Sequence, residues 1–454
     1  MNFPHYGGSR MELGDVVNIL FNVNVAFILI SLIYFTHQIF TKRSLLSKNV
    51  IKSSYLLIVA GVSYALAEFF SEYWVLLTLV LITALLYLDF SLIKREGLGL
   101  ATAGISSILL VVYYYMFFTP YANTPIHILT IIGAVIIATV ISIVLYVRHR
   151  SFVFFSIMGI LVIRFFMGLA VSIYPDLASF ISLFSLVVAS FFVALYVSVF
   201  RKKYIAYTAL FLSMGLIGAT TAIIVSIMSG VPDAALYFVA EAFAISTIGI
   251  NVVYFLKDYE ESFSINSLLF AGAFISIIFL AMIDMLETLL YDIIKHLPPV
   301  IFYVDWILII VATLSALLLT GALISLSGKT RILFLFSLFA ASLTTYIGTI
   351  TFIYPEEEFA LLLLLTTISI LLVIALVALG YIVRKLLKFG AKGTALRFAG
   401  YFAAALLYTI GEVTYALLTY VETGVVIFLS GIVFLMSSPI FMTYIRGRVK
   451  REHD

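Results

Sequence analysis

Five ionisable side chains stand inside long apolar runs of this 454-residue chain: Glu68, Arg164, Glu241, Asp284 and Glu412. Charge near the centre of a bilayer costs about 2.5–3.5 kcal/mol on insertion scales, so each is a candidate functional group. Glu68 and Glu412 share a local pattern. Tyr64 precedes the first and Tyr408 the second by four residues, a spacing that stacks phenol and carboxylate on one helix face. Counted from the nearest preceding basic loop residue, Glu68 follows Lys52 by 16 residues, Arg164 follows Arg148 by 16, and Glu412 follows Arg397 by 15. A rise of 1.5 Å per residue puts all three at a height of roughly 22–24 Å. Arg164 is thus placed to pair with one or both carboxylates. The set could hold a proton or a substrate. It could also be a buried salt bridge that fixes which helices pack together.

Glu241 lies about two turns past Pro232 and has no basic partner on its own helix. It is either neutral in apolar surroundings or paired with another helix. Asp284, Glu287, Tyr291 and Lys295 follow helical spacing, Asp292 and His296 form an i, i+4 pair, and Asp305 opens the next segment. These groups could bind a cation or dock a partner. They could also form an amphipathic extension lying on the outer surface.

The elements that position these groups follow from composition. Residues of the A, V, I, L, M, F, W, Y and C class make up 64% of the chain and charged residues only 11%, against about a quarter in a soluble domain. Too few charges exist to coat a surface facing water, so an all-α, polytopic membrane bundle is expected. The net charge of +3 and the lack of a dense basic tract outside short loops speak against nucleic-acid binding.

Fifteen segments of about 20 apolar residues can be drawn. They are 15–40, 53–71, 73–93, 99–118, 126–147, 152–173, 177–200, 204–229, 233–256, 264–290, 301–326, 332–353, 358–383, 397–420 and 424–445. Alternate loops hold 23 of the 26 Lys and Arg residues, from Lys42 and Arg43 through Arg201 to Lys203 and on to Arg446 to Arg451. The opposite loops hold Glu72, Asp176, Asp233, Asp292, Glu356 to Glu358 and Glu422. Basic short loops stay cytoplasmic, so the N-terminus is expected outside and the C-terminus in the cytosol of a plasma-membrane protein.

This gives a single integral membrane domain over 1–454: an extracellular segment 1–14, a first helix 15–40 and seven helical hairpins over 52–450. Seven of the nine prolines fall in outer turns, two of them within Tyr174-Pro175-Asp176 and Tyr354-Pro355-Glu356. Proline fixes φ and lacks a donor, which suits tight turns. Only Pro439 falls inside an expected helix, and no segment shows a clear break of the kind that marks many transporter sites.

The chain has no cysteine, which excludes thiolate catalysis and Cys-bound clusters. Of the six histidines only His37 and His127 lie within helices, near opposite faces, so haem is not expected. No GxxxxGK[ST], GxSxG or HExxH motif occurs. No catalytic residue, metal or cofactor is therefore expected, and the chain is read as no enzyme. The expectation is a non-catalytic integral subunit that anchors or scaffolds a membrane complex, possibly an outward-facing electron-transfer complex with its cofactors on a partner. Its partners would be the bilayer and another membrane or extracellular subunit. The alternative is a secondary transporter or lipid-linked-sugar flippase, favoured by the helix count and the Glu/Arg set.

Overall fold

A computed structural model describes residues 13–69, 74–95, 97–105, 108, 125–173, 178–200, 202–289, 293, 301–326, 328, 332, 335, 336, 339, 340, 342, 343, 346, 357–414 and 419–439. Among them every regular element is helical. In chain order these are α1 (Leu13–Lys42), α2 (Lys48–Phe69), α3 (Trp74–Leu92), α4 (97–105), α5 (Pro125–His149), α6 (Phe152–Ile173), α7 (Ala178–Ser198) and α8 (Lys203–Met228). There follow α9 (Ala234–Ser262), α10 (Ile265–Thr288), α11 (Ile301–Leu326), α12 (helical positions between 332 and 346), α13 (Glu357–Lys388), α14 (Lys392–Thr414) and α15 (Tyr420–Ser437).

Among the described residues, six helices are long and apolar enough to cross a membrane: Asn18–Leu45, Lys48–Ala67, Lys203–Met228, Ala234–Ser262, Ile265–Thr288 and Tyr420–Ser437. The chain is a helical multi-pass membrane protein. Side-chain placement supports this. On α1, Ile28, Leu32, Phe35 and Ile39 form the buried stripe, while Ile30, Ile33, Tyr34 and Phe40 stand more than half exposed. On α5, Val135, Ala138, Ser142 and Leu145 face inward and Ile137, Val140, Val144 and Val147 face out. Helices apolar on both faces are found where the surrounding medium is itself apolar.

The chain divides into two compact units, residues 13–217 and 218–454. In the first, α1 packs on α2, α2 on α3, α3 on α5, α5 on α6, α6 on α7, and α7 returns to α1. In the second, α9 packs on α10, α10 on α11, α11 on α13, α13 on α14, α14 on α15, and α15 returns to α9. Each unit thus contains a closed ring of six described helices, with α1 meeting α7 in one and α9 meeting α15 in the other.

Some boundaries differ from expectation for identifiable reasons. The ninth helix does not stop near 256. It continues through Lys257, Asp258, Glu260 and Glu261 to Ser262 and ends on Phe263, whose φ of 54° turns its N–H onto the Tyr259 carbonyl at 2.7 Å. Asp258 accepts the Ser267 hydroxyl across this tight turn. The charged residues taken for a loop are the polar last turns of the helix.

The expected helix 424–445 also requires correction, because α15 ends at Ser437 and Ser438 is extended at ψ 133°. The residue before a proline is driven out of the α region, and Pro439 has no N–H to continue the ladder. A clear break therefore exists where none was expected.

The α9–α15 contact is close because α15 offers glycine at the crossing. A Cβ on Gly424 would come within 3.1 Å of the Tyr237 Cα, and one on Gly431 within 2.7 Å of the Phe243 ring. Small residues let membrane helices approach without a hydrophobic driving force between them. Gly424→Leu should accordingly lower the thermal unfolding midpoint of the detergent-solubilised protein, by overpacking worth about 1–3 kcal/mol. Gly380→Ala, where a Cβ meets nothing within 4 Å, should leave the midpoint unchanged or raise it.

Candidate functional site

The unit 218–454 concentrates its buried polar chemistry on α9. Tyr237, Glu241 and Asn251 are all 0% exposed. At 100° per residue they fall within an arc of roughly 80°, spread over about 21 Å of helix. Ala244, Ile248 and Phe255 complete the same buried face. Each polar member meets a group from a neighbouring helix. The Tyr237 hydroxyl donates to Asp284 of α10. The Tyr408 hydroxyl of α14 donates to Glu241 Oε2 at 3.1 Å.

Asn251 is held most completely. Its Nδ2 donates to the Thr247 carbonyl at 3.0 Å and to the Phe434 carbonyl of α15 at 3.1 Å, while its Oδ1 accepts from the Tyr401 hydroxyl at 3.0 Å. The Phe434 contact answers the break in α15. In an unbroken helix the Ser438 N–H would bond the Phe434 carbonyl; here it bonds Leu435 instead. Asn251 supplies a replacement donor for Phe434 from across the helix interface. Tyr401 and Tyr408 are seven residues apart on α14, two turns, and so reach two levels of α9 from one face. Ser430 of α15 donates to the Ala404 carbonyl of α14 at 3.0 Å and ties the third side.

The unit 13–217 carries its polar contacts on several different helix pairs. The Arg164 guanidinium sits 5.7 Å from the centre of the Tyr64 ring, within cation–π range. Tyr64 is 1% exposed and its ring lies 5.2 Å from that of Phe192. Asn24 of α1 donates to Ser185 of α7, at the point where the ring closes. Asp89 of α3, 0% exposed, accepts the Ser142 hydroxyl of α5 at 2.9 Å. Tyr196 of α7 lies against Gly61 of α2, and its hydroxyl has no hydrogen-bond partner among the described residues.

Part of the expected set lies within the described residues. Tyr408, grouped by spacing with Glu412, serves Glu241 on another helix. Arg164 and Tyr64 do meet, which supports the height match between α2 and α6. Glu68 lies in α2 and Glu412 in α14, but the side chains of both fall outside the described residues, as do the two Tyr-Pro-acid turns and the Asp292–His296 pair. Asp284 is half-buried and bonded to Tyr237, so its carboxylate belongs to the bundle.

Sequence reasoning missed Asp89, Tyr237, Asn251 and Tyr401. Asp89 is five residues from Lys94, near the end of its apolar run, where a charge does not stand out. Asn251 carried a usable signal, as one of the few amides inside an apolar run. Nothing in the linear order points to Tyr237 or Tyr401. Among the described residues no group of three or more His, Asp or Glu side chains gathers to hold a metal. No protein-family model matches the chain, and neither a curated protein nor a solved structure matches it.

Two substitutions test this geometry. Tyr408→Phe removes a donor from a buried carboxylate and should destabilise by about 1–2 kcal/mol, read as a lower unfolding midpoint. Tyr196→Phe removes a hydroxyl without a described partner and should be neutral or stabilising by up to about 1 kcal/mol in the same assay.

Proposed function

We propose that the chain is a non-catalytic integral subunit of the plasma membrane, with about fifteen spans, its N-terminus outside and its C-terminus in the cytosol. It anchors a membrane complex whose chemistry resides on a partner, of the outward-facing electron-transfer kind. The observation that carries this reading is Asn251. At the one described break in an apolar helix, the carbonyl that loses its backbone donor is taken by a side chain of the protein, not left for a ligand. Asn251 has both amide hydrogens and its oxygen engaged. Glu241 and Asp284 meet phenols from neighbouring helices in the same way. Polar groups used to fix helix pairs and register suit a scaffold.

The transporter or lipid-linked-sugar flippase reading keeps one specific observation in its favour. A broken helix beside a buried file of carboxylate and phenol groups is where secondary transporters place substrate. The two readings part in one experiment. The full chain, tagged and purified from its own membrane in mild detergent, should bring down a second subunit carrying a visible cofactor spectrum. The isolated chain should be colourless and move no solute in proteoliposomes. Flux that Glu241→Gln abolishes without loss of folded protein would overturn the scaffold in favour of transport. Orientation is checked separately: tags at the two termini should report opposite sides of the membrane.

A further inference from the structure

The end of the unit 13–217 at which α1, α3, α5 and α7 finish carries charge of one sign. Every exposed charged residue described there, from Lys42 and Arg43 at the end of α1 to Lys202 after α7, is basic. The turn after α9 is built otherwise: Lys257 stands there with Asp258, Glu260 and Glu261, and pairs with Glu261 at 3.8 Å. Retention of basic loops on one side of a membrane accounts for the sign of the charge. It does not account for the position of Lys42, whose Nζ lies 5.5 Å from the centre of the Phe200 ring at the end of α7. A base kept only to complement the dipole of α1 would turn to the terminal carbonyls of its own helix. The ring beneath it is itself held. Phe200 packs on Phe35 of α1 with centroids 5.9 Å apart, and Phe35 packs on Tyr196 of α7 at 4.9 Å. The ammonium is thus fixed at the α1–α7 seam. Lys202 is exposed and follows Phe200 by two residues, so its Cα stands within about 7 Å of that of Phe200. Its flexible four-carbon stem lets a second ammonium reach the same seam. Inward from these bases, Tyr34, Gln38 and Lys42 recur at i, i+4 and i+8 and run along one edge of α1 for about 12 Å. Tyr34 is 62% exposed, so this edge faces the lipid.

We propose that Lys42 and Lys202 seat the phosphodiester headgroup of one anionic phospholipid at the α1–α7 seam, with an acyl chain along the Tyr34–Lys42 edge of α1. The chemistry of the seam selects the ligand. Two ammonium groups beside an aromatic ring supply positive charge at the end of a membrane helix, and an exposed edge runs inward from them. Basic groups at such a boundary attract anionic lipid headgroups. A lysine acts as a point charge and accepts a phosphate from any direction, which suits a headgroup that is free to turn. A soluble anion would use the charge and leave the edge of α1 unused. A zwitterionic lipid would fill the edge but bring its own cation against the two lysines.

The test uses the full chain, purified and stripped of lipid in an uncharged detergent. Dioleoylphosphatidylglycerol, dioleoylphosphatidylcholine and glycerol 3-phosphate are titrated in turn, and bound molecules are counted by native mass spectrometry. Phosphatidylglycerol should bind about tenfold more tightly than phosphatidylcholine and raise the unfolding midpoint saturably. High sodium chloride should weaken that binding by screening. Glycerol 3-phosphate, which has the charge without the acyl chains, should neither bind nor raise the midpoint. Because these readouts use the unsubstituted protein, they do not depend on a variant folding. Equal binding of the two lipids overturns the proposal, and so does a midpoint rise with glycerol 3-phosphate that matches the one with phosphatidylglycerol. To place the lipid, Lys42→Gln and Lys202→Gln should each weaken phosphatidylglycerol binding about fivefold, while Lys42→Arg should retain it. Lys94→Gln combined with Arg95→Gln removes as much charge from the same end and should change binding by less than about twofold. If that pair weakens binding as much as Lys42→Gln combined with Lys202→Gln, the attraction belongs to the whole face and the assignment to the α1–α7 seam is overturned.

Discussion

Hydrocarbon offers no hydrogen bonds, and this single constraint organises the protein. Every backbone group within the membrane must find its partner inside the protein, and a helix supplies nearly all of them within one segment, which fits the helices found among the described residues. The same constraint governs side chains. Asn24, Asp89, Glu241 and Asn251 are almost wholly buried, and each draws a donor or an acceptor from a different helix. Apolar packing cannot select between neighbours when lipid is as apolar as the helices themselves. The polar pairs can, because a slipped register separates donor from acceptor. Glycine at 424 and 431 acts alongside them by setting how near α15 comes to α9.

The two units meet this constraint in different ways. On α9 the polar groups form a file in which phenols and an amide answer carboxylates and a freed carbonyl. In the unit 13–217 the contacts are pairs on different helices, Asn24 with Ser185 and Asp89 with Ser142, and π surroundings add to them. Arg164 lies over a tyrosine ring, and the Tyr196 hydroxyl faces a glycine. A cation over a ring keeps part of its stabilisation when water is excluded, since the quadrupole needs no hydrogen-bond geometry. The break at Ser438 shows the cost of proline in this medium: one side chain, Asn251, is committed to a carbonyl that a continuous helix would have satisfied unaided.

Much of the architecture was legible because apolar run length and proline placement report directly on the solvent. The segments 152–173 and 301–326 coincide with α6 and α11 to the residue. Where boundaries failed, local polarity misled. Lys257 to Glu261 look like a loop because they are charged, yet their i, i+4 spacing lets Lys257 and Glu261 pair at 3.8 Å on an exposed helical turn. The site was legible residue by residue but not pair by pair. Glu241, Asp284, Arg164, Tyr64 and Tyr408 stand out from composition alone. That Tyr408 belongs with Glu241 depends on α14 lying beside α9, a contact across 167 residues that no periodicity encodes. Pro439 was visible, but its effect passes through Ser438 to an amide on another helix.

Ring closure carries a consequence for biogenesis. Neighbours such as α2 and α3 can associate as soon as both have left the ribosome. The seam between α1 and α7 joins residues 161 positions apart, and that between α9 and α15 joins residues 183 apart. Long-range contacts of this kind form only after the intervening chain has been made and ordered. During synthesis α1 and α9 must each wait in lipid with a polar face uncovered. Asn251 therefore waits for a partner made 183 residues later, close to the end of this chain.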